Sequence, residues 1–269
     1  MRRILSLLVS ALALSSGHAM AGVVVNVTGT DLSNNTTDPM TVYLDTDRMK
    51  IVNGKDTMIF RGDLKRMWSI ENTGRQYTEI NPDTVQQMGS QVSAAMAQMQ
   101  ARLAQMPPEQ RAQIEALMAQ RPGGAFAAPS PAKPQVTYTR AGGGKSIGSW
   151  RCEQYDKIVD GRKEAELCMA PLGSVGITED DLKVLNSIGT MMGPITQQVP
   201  DRSNYMGLDA ISKAIGFQGV PLETVYYDDG KPTRRDTVNK IERTAIPAST
   251  FELPQGLTKR EMNFGRPPR

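Results

Sequence analysis

Histidine is almost missing from this chain: one residue among 269, His18. Its scarcity removes the commonest acid-base group and, with it, most hydrolase chemistry. Cysteine is nearly as rare, at two, with no Cys-x-x-Cys spacing of the kind that binds metal or exchanges disulfides. No sign of charge dominates, since 31 Lys and Arg stand against 28 Asp and Glu. Proteins that hold phosphates concentrate Lys and Arg on one face, so nucleic acid is not an expected partner. Nowhere do about 18 apolar residues follow one another, so no transmembrane segment is expected in the mature chain.

What is present begins with a leader. Arg2 and Arg3 precede an apolar run from Ile4 to Leu14, and Ala19-Met20-Ala21 supplies the small residues that a signal peptidase requires. Residues 1–21 therefore read as a signal peptide cut after Ala21, with no cysteine behind the cut to carry a lipid. Removing 21 residues from 269 leaves 248, takes away His18, and lowers the net charge from +3 to +1. The expected destination is the periplasm.

An oxidising compartment makes the two cysteines readable. Cys152 and Cys168 flank Val159-Asp160-Gly161, and a three-residue hairpin loop there would set the cysteines directly opposite one another. Opposed residues on antiparallel strands lie about 4.5–5.5 Å apart at Cα, within disulfide reach. A structural disulfide contributing about 3 kcal/mol is the expectation.

From Val23 to Ile80 the pattern is that of strands: Val23 to Val27, Thr41 to Asp45, Arg48 to Val52, Thr57 to Arg61, Arg66 to Ile70 and Gln76 to Ile80. Asn53-Gly54, Gly62-Asp63 and Asn72-Thr73-Gly74 supply the turns of an antiparallel meander. The period then changes. Asn81 caps a helix opening with Pro82 and Asp83, and Val85, Met88, Val92, Met96, Met99, Leu103 and Met106 recur at steps of three and four. Pro107-Pro108 ends that helix, a second runs from Glu109 to Gln120, and Arg121 to Gln135 is a Pro, Ala and Gly linker.

Strands resume at Val136 to Arg140, in the cysteine hairpin, and at Leu222 to Tyr227 and Asp236 to Arg243, the last pair joined at Asp229-Gly230. Two more helices are expected, one after Thr178 and ended by Gly193-Pro194, the other from Tyr205 to Ile215. The class is α+β: a curved antiparallel sheet, or half-open barrel, with helices laid on its concave face. Residues 22–257 make one domain with a helical insert and linker at 82–135, and residues 258–269 form a flexible tail.

Catalytic motifs are incomplete. Gly142-Gly143-Gly144-Lys145-Ser146 lacks the glycine a phosphate loop needs, since Thr139 stands there. Gly144-Lys145-Ser146-Ile147-Gly148 spells a nucleophile elbow without a histidine base, and Lys145 beside Ser146 in a strand would point to the other face. Asp180-Asp181 reads as the acidic first turn of a helix and Asp228-Asp229-Gly230 as a hairpin turn. No enzyme, cofactor or metal is expected.

Of the 16 methionines, Met88, Met96, Met99 and Met106 share one stripe. Three readings remain open for it: filler between helix and sheet, a repacking surface for apolar ligands, and, through Met96 and Met99, soft thioether ligands for copper(I).

Arg48-Met49-Lys50-Ile51, Thr57-Met58-Ile59-Phe60-Arg61-Gly62, Met67-Trp68-Ser69-Ile70 and Tyr77-Thr78-Glu79-Ile80 resemble the bacterial domain-of-unknown-function family 4412. Gly219-Val220-Pro221-Leu222-Glu223-Thr224 and the run from Ile246 to Leu257 resemble its second signature, so the resemblance spans roughly Val42 to Leu257. It implies a fold similar to the periplasmic lipoprotein carriers LolA and LppX, a half-open barrel closed by helices over an apolar cavity, and no catalytic residues.

The expected function is therefore a periplasmic carrier. An apolar small molecule or lipid would lie between the sheet, including Trp68, and the stripe Val85, Met88, Val92, Met96, Met99, Leu103 and Met106. The alternative is a non-enzymatic interaction module whose amphipathic helix docks on an envelope protein.

Overall fold

The computed structural model describes residues 20–108, 110, 135–196 and 208–261. The expected leader up to residue 19, the expected second insert helix apart from Gln110, the expected linker up to residue 134, the first residues of the helix expected from Tyr205, and the tail beyond residue 261 lie outside them. Six strands follow one another as a meander: β1 (Met20–Asp31), β2 (Thr37–Asp45), β3 (Arg48–Asn53), β4 (Asp56–Arg61), β5 (Arg66–Glu71) and β6 (Gln76–Ile80). After α1 (Pro82–Ala104) come β7 (Val136–Arg140), β8 (Lys145–Ile147), β9 (Trp150–Val159) and β10 (Arg162–Pro171). Then follow α2 (Glu179–Thr196), α3 (Leu208–Ile215), β11 (Gly219–Asp228), β12 (Lys231–Ile246) and the two-residue β13 (Thr258–Lys259).

All the described strands belong to one open, curved sheet ordered β13-β6-β5-β4-β3-β2-β1-β12-β11-β10-β9-β7, with β8 also on β9. The two halves join where β1 runs antiparallel to β12, from Met20 opposite Ile246 to Asp31 opposite Arg234. The class is α+β. Among the described residues, no helix is long and apolar enough to cross a membrane.

Period-two alternation assigns the faces. On the front face Val23, Leu44, Met49, Phe60 and Met67 occupy successive strands and are buried with Cys152, Cys168, Ala170 and Leu222. Val184 and Ile188 of α2 complete that core. On the back face Ile59, Trp68, Ile70 and Ile246 surround Phe251, and farther along the sheet Tyr155, Ala165, Leu167 and Met169 receive Ile211 of α3. Helices thus lie on both faces. Leu167-Cys168-Met169-Ala170 is continuously apolar because β10 is covered on both sides, as in sheets sandwiched between layers.

Local chemistry fixes the ends of the elements. Asn81 caps α1 by accepting from the Thr84 N–H at 3.0 Å, while the Asn81 N–H donates to Thr84 Oγ1 at 2.7 Å, and Pro82 sits where its missing N–H costs nothing. α1 ends at Ala104, before Pro107-Pro108, in a tightened turn with Gln105 N–H donating to Arg102 O at 3.2 Å. α2 runs through Gly193-Pro194 to Thr196 rather than stopping there, since a proline in the last turn deletes only one backbone donor. Gly216, at φ 84°, terminates α3.

Two turns and one register differ from the expected ones. Gly54-Lys55, not Asn53-Gly54, connects β3 to β4, because Asn53 pairs with Asp56. The cysteine hairpin closes on two residues, Asp160 and Gly161 at φ 50° and 79°, with Arg162 opposite Val159. A bulge at Glu164 then shifts the register, so Cys168 faces Gln154 rather than Cys152. The disulfide forms diagonally, with the Cα atoms 5.2 Å apart.

Beyond Ile246 the chain stays on the sheet, and Thr258 and Lys259, the first two residues of the expected tail, are part of it. It crosses the back face through a short 3₁₀ turn at Ala248–Phe251, buries Phe251 under the Arg48 guanidinium at 5.0 Å, and adds Thr258 and Lys259 as a parallel strand beside Gln76 and Tyr77. Thr258 and Lys259 are held there because Thr258 N–H donates to Arg75 O at 3.0 Å and Arg260 N–H to Tyr77 O at 2.8 Å.

Candidate functional site: the helical layer and the front face

The α1 stripe does not rest on the sheet. α1 packs chiefly against α2, and α2 in turn packs on the front face of the meander. Val85 is fully buried, whereas Met88, Val92, Met99, Leu103 and Met106 are half-buried, and the Met96 side chain lies outside the described residues. Trp68 belongs to the opposite face. Its indole N–H donates to Glu79 Oε2 at 3.0 Å, and its ring joins the cluster around Phe251. The residues expected to line one cavity are therefore divided between α1 and the back face.

The space in front of the meander is occupied by α2. Val184 is fully buried and Ile188 nearly so among Leu44, Met49, Phe60 and Met67, while Leu182, Leu185, Met191 and Met192 are half-buried beside them. Burying each large apolar side chain contributes about 1.5–3 kcal/mol, so α2 is bound tightly to the sheet. Polar contacts fix its position along the strands. Arg243 of β12 donates to both oxygens of Asp181, at 3.2 and 2.5 Å, and to Gly176 O at 3.1 Å; Ser187 donates to Asp47 Oδ1 at 3.0 Å. Burial alone would raise the Asp181 pKa, but the hydrogen bonds from Arg243 and Thr178 outweigh it and hold the carboxyl below its usual range. An open cleft of about 330 Å³ lies between α2 and Leu208, lined by Leu182 and Leu185 but rimmed by Glu179, Asp180, Lys183 and Asn186.

Beyond the disulfide the front face changes character. β8 approaches β12 as well as pairing with β9, and Lys145 Nζ meets Glu223 Oε1 at 2.5 Å, with Arg235 at 3.8 Å from the same carboxylate. Farther along, Lys163 joins Asp156 at 2.9 Å and also Glu166, whose carboxylate accepts from Tyr227 Oη at 2.8 Å. Glu166 is held below the usual carboxylate range, first by its hydrogen bond from Lys163; Tyr227 is pushed up by donating to that carboxylate. Burial lowers the Lys163 pKa, but its two carboxylate partners more than compensate and raise it. Every charge in this row has its counter-charge. An ionised Glu166 is the reverse of what a general acid requires.

The sequence reading missed this row because bulges hide it. Lys163 and Glu166 are three apart and would fall on opposite faces of a regular strand; the extra residue at Glu164 brings them to the same one. The rejected motifs fall where the turn and strand readings put them. Lys145 and Ser146 are successive residues of β8, Asp229 and Gly230 form a two-residue turn, and Asp180 pairs with Lys183 at 2.7 Å. Asp181 does more than favour the start of a helix, since it ties α2 to β12. Among the described residues, no group of three or more His, Cys, Asp or Glu is placed to hold a metal ion.

No family model matches the chain, and no curated protein matches it. Among solved structures it is similar to PNGF-II, at 8% identity and TM-score 0.37 over 91% of this chain and 31% of that one. It is also similar to the Pseudomonas aeruginosa MucA/MucB complex, at 7% identity and TM-score 0.37 over 90% and 58%, and to MucB, at 7% and 0.37 over 91% and 62%. The chain thus spans about a third to three-fifths of the length of these structures. Likeness at that level carries no argument about function.

Proposed function

We propose that this chain is a non-enzymatic interaction module of the bacterial envelope, exported to the periplasm by its leader and docking on a protein partner through α1. The observation that carries this reading is the layering: α2 fills the front face, and α1 stands outside α2 with its stripe only half covered. From Pro82 to Ala104 the helix bears just two charges, Asp83 and Arg102, among Gln, Ala, Ser and Met. A long, nearly neutral helix with a flexible Met edge suits an apolar groove on another protein, because Met adapts its shape to the surface it meets.

The carrier reading is second, favoured by the half-buried Leu182, Leu185, Met191 and Met192 of α2, which an acyl chain would meet if the helix lifted. Lifting it would break the Asp181–Arg243 and Ser187–Asp47 contacts. The test is in-cell photocrosslinking from position 99, with position 239 on β12 as control. One discrete protein adduct at 99 and none at 239 is expected. Equal labelling at both, or none at 99, overturns the docking reading.

A further inference from the structure

The two ends of the sheet are finished differently, and the difference is independent of α1. At one end β13 covers Gln76 and Tyr77, and the segment leading to it carries Pro254, with Lys259 and Arg260 following. Proline and Lys are the usual devices against edge-to-edge pairing. At the other end Lys133 and Pro134 stand just ahead of the strand in the sequence, but the five residues of β7 itself, Val-Thr-Tyr-Thr-Arg, favour strands and hold neither proline, lysine nor a bulge.

The hydrogen-bond phase shows which backbone groups this edge displays. Asp160 N–H donates to Gln135 O at 3.0 Å and Ala141 N–H to Gln154 O at 2.9 Å. Antiparallel pairs alternate between bonded and non-bonded, so Thr137 and Thr139 bond to β9, while the N–H and C=O groups of Val136, Tyr138 and Arg140 point away from it. Among the described residues no strand lies beyond β7.

We infer that β7 is a self-complementary dimerisation edge, pairing antiparallel with β7 of a second copy about a two-fold axis at Tyr138. In that register Val136 bonds with Arg140 of the second copy, Tyr138 with Tyr138, and Arg140 with Val136, so all six outward groups on each edge are satisfied. The strand's one charge, Arg140, meets Val136 rather than its own image, and it is already paired with Glu153 at 2.9 Å. An isologous contact of this kind closes on itself and joins two sheets into one.

Light scattering on the full chain should give twice the chain mass, with dissociation on dilution. Val136→Pro removes an outward N–H that β9 does not use, so the monomer fold is retained, and symmetry deletes two intermolecular bonds; the dimer dissociation constant should rise at least about tenfold. Circular dichroism confirms that this variant is folded. Tyr138→Cys should form an intermolecular disulfide on oxidation, because a bonded pair sits at about 5.5 Å between Cα atoms, whereas Val136→Cys should not. A monomer at every concentration, a dimer unaffected by Val136→Pro, equal crosslinking at 136 and 138, or a different protein captured in place of the second copy would each overturn the inference.

Discussion

Strands β2–β6 and strands β9–β12 belong to one sheet, yet their front rows are chemically opposite. The meander presents Leu44, Met49, Phe60 and Met67 to α2, whereas the far part of the second half presents Lys163, Asp156, Glu166 and Tyr227. Regularity accompanies the difference. The registers from β2 to β6 run without a shift, while bulges interrupt β9–β10, β10–β11 and β11–β12. An uninterrupted alternation sorts apolar residues to one side. A bulge changes which residues share a side, and here it gathers charges that the sequence spaces apart.

The largest effect that would break this contrast is Phe60→Ala, which opens a cavity where sheet and α2 meet and should cost about 3–5 kcal/mol in urea unfolding. A loss below about 1 kcal/mol would mean that α2 does not rest on the meander. Replacing Cys152 and Cys168 together by Ser should cost about 3 kcal/mol, since the diagonal bridge closes a hairpin whose register is already bulged. Thermal melts with and without reductant check this, and the double variant should show no reductant effect.

Asp181→Asn should cost about 1–2 kcal/mol by weakening the tie to Arg243, with exchange of the α2 amides rising more than that of β3 and β4. Smaller still is Glu166→Gln, at about 1 kcal/mol or less, because Lys163 is partly exposed and keeps Asp156. The sign of the pH effect follows from the carboxylates. Asp181 and Glu166 titrate lower in the folded chain than the ordinary values of 3.8 and 4.5 they have when unfolded, so their contribution is complete above those values and is lost as pH falls below them. Acid unfolding of Glu166→Gln should therefore be less steep than that of the native chain, as measured by fluorescence between pH 5 and about pH 2.

The meander was legible from sequence because alternation, turn residues and the Asn81-Pro82 helix start all agree there. β6 and β7 match the expected boundaries, Gln76–Ile80 and Val136–Arg140. The disulfide was legible as a pair but not in its register, since nothing in Lys163-Glu164-Ala165 marks a bulge. The candidate site was less legible. Periodicity identified the stripe of α1 correctly as amphipathic, but it cannot say which surface an amphipathic helix meets, and the intervening partner, α2, has a stripe of its own. Trp68 and Met67 are neighbours in sequence and face opposite sides; α2 explains the burial of Met67, and Phe251, about 180 residues later, that of Trp68.

Native mass spectrometry of the chain purified without detergent tests the central claim, that α2 rather than a ligand fills the front face. The account predicts polypeptide mass alone, with no adduct released on unfolding. A stoichiometric lipid that appears only when the chain is unfolded would contradict it.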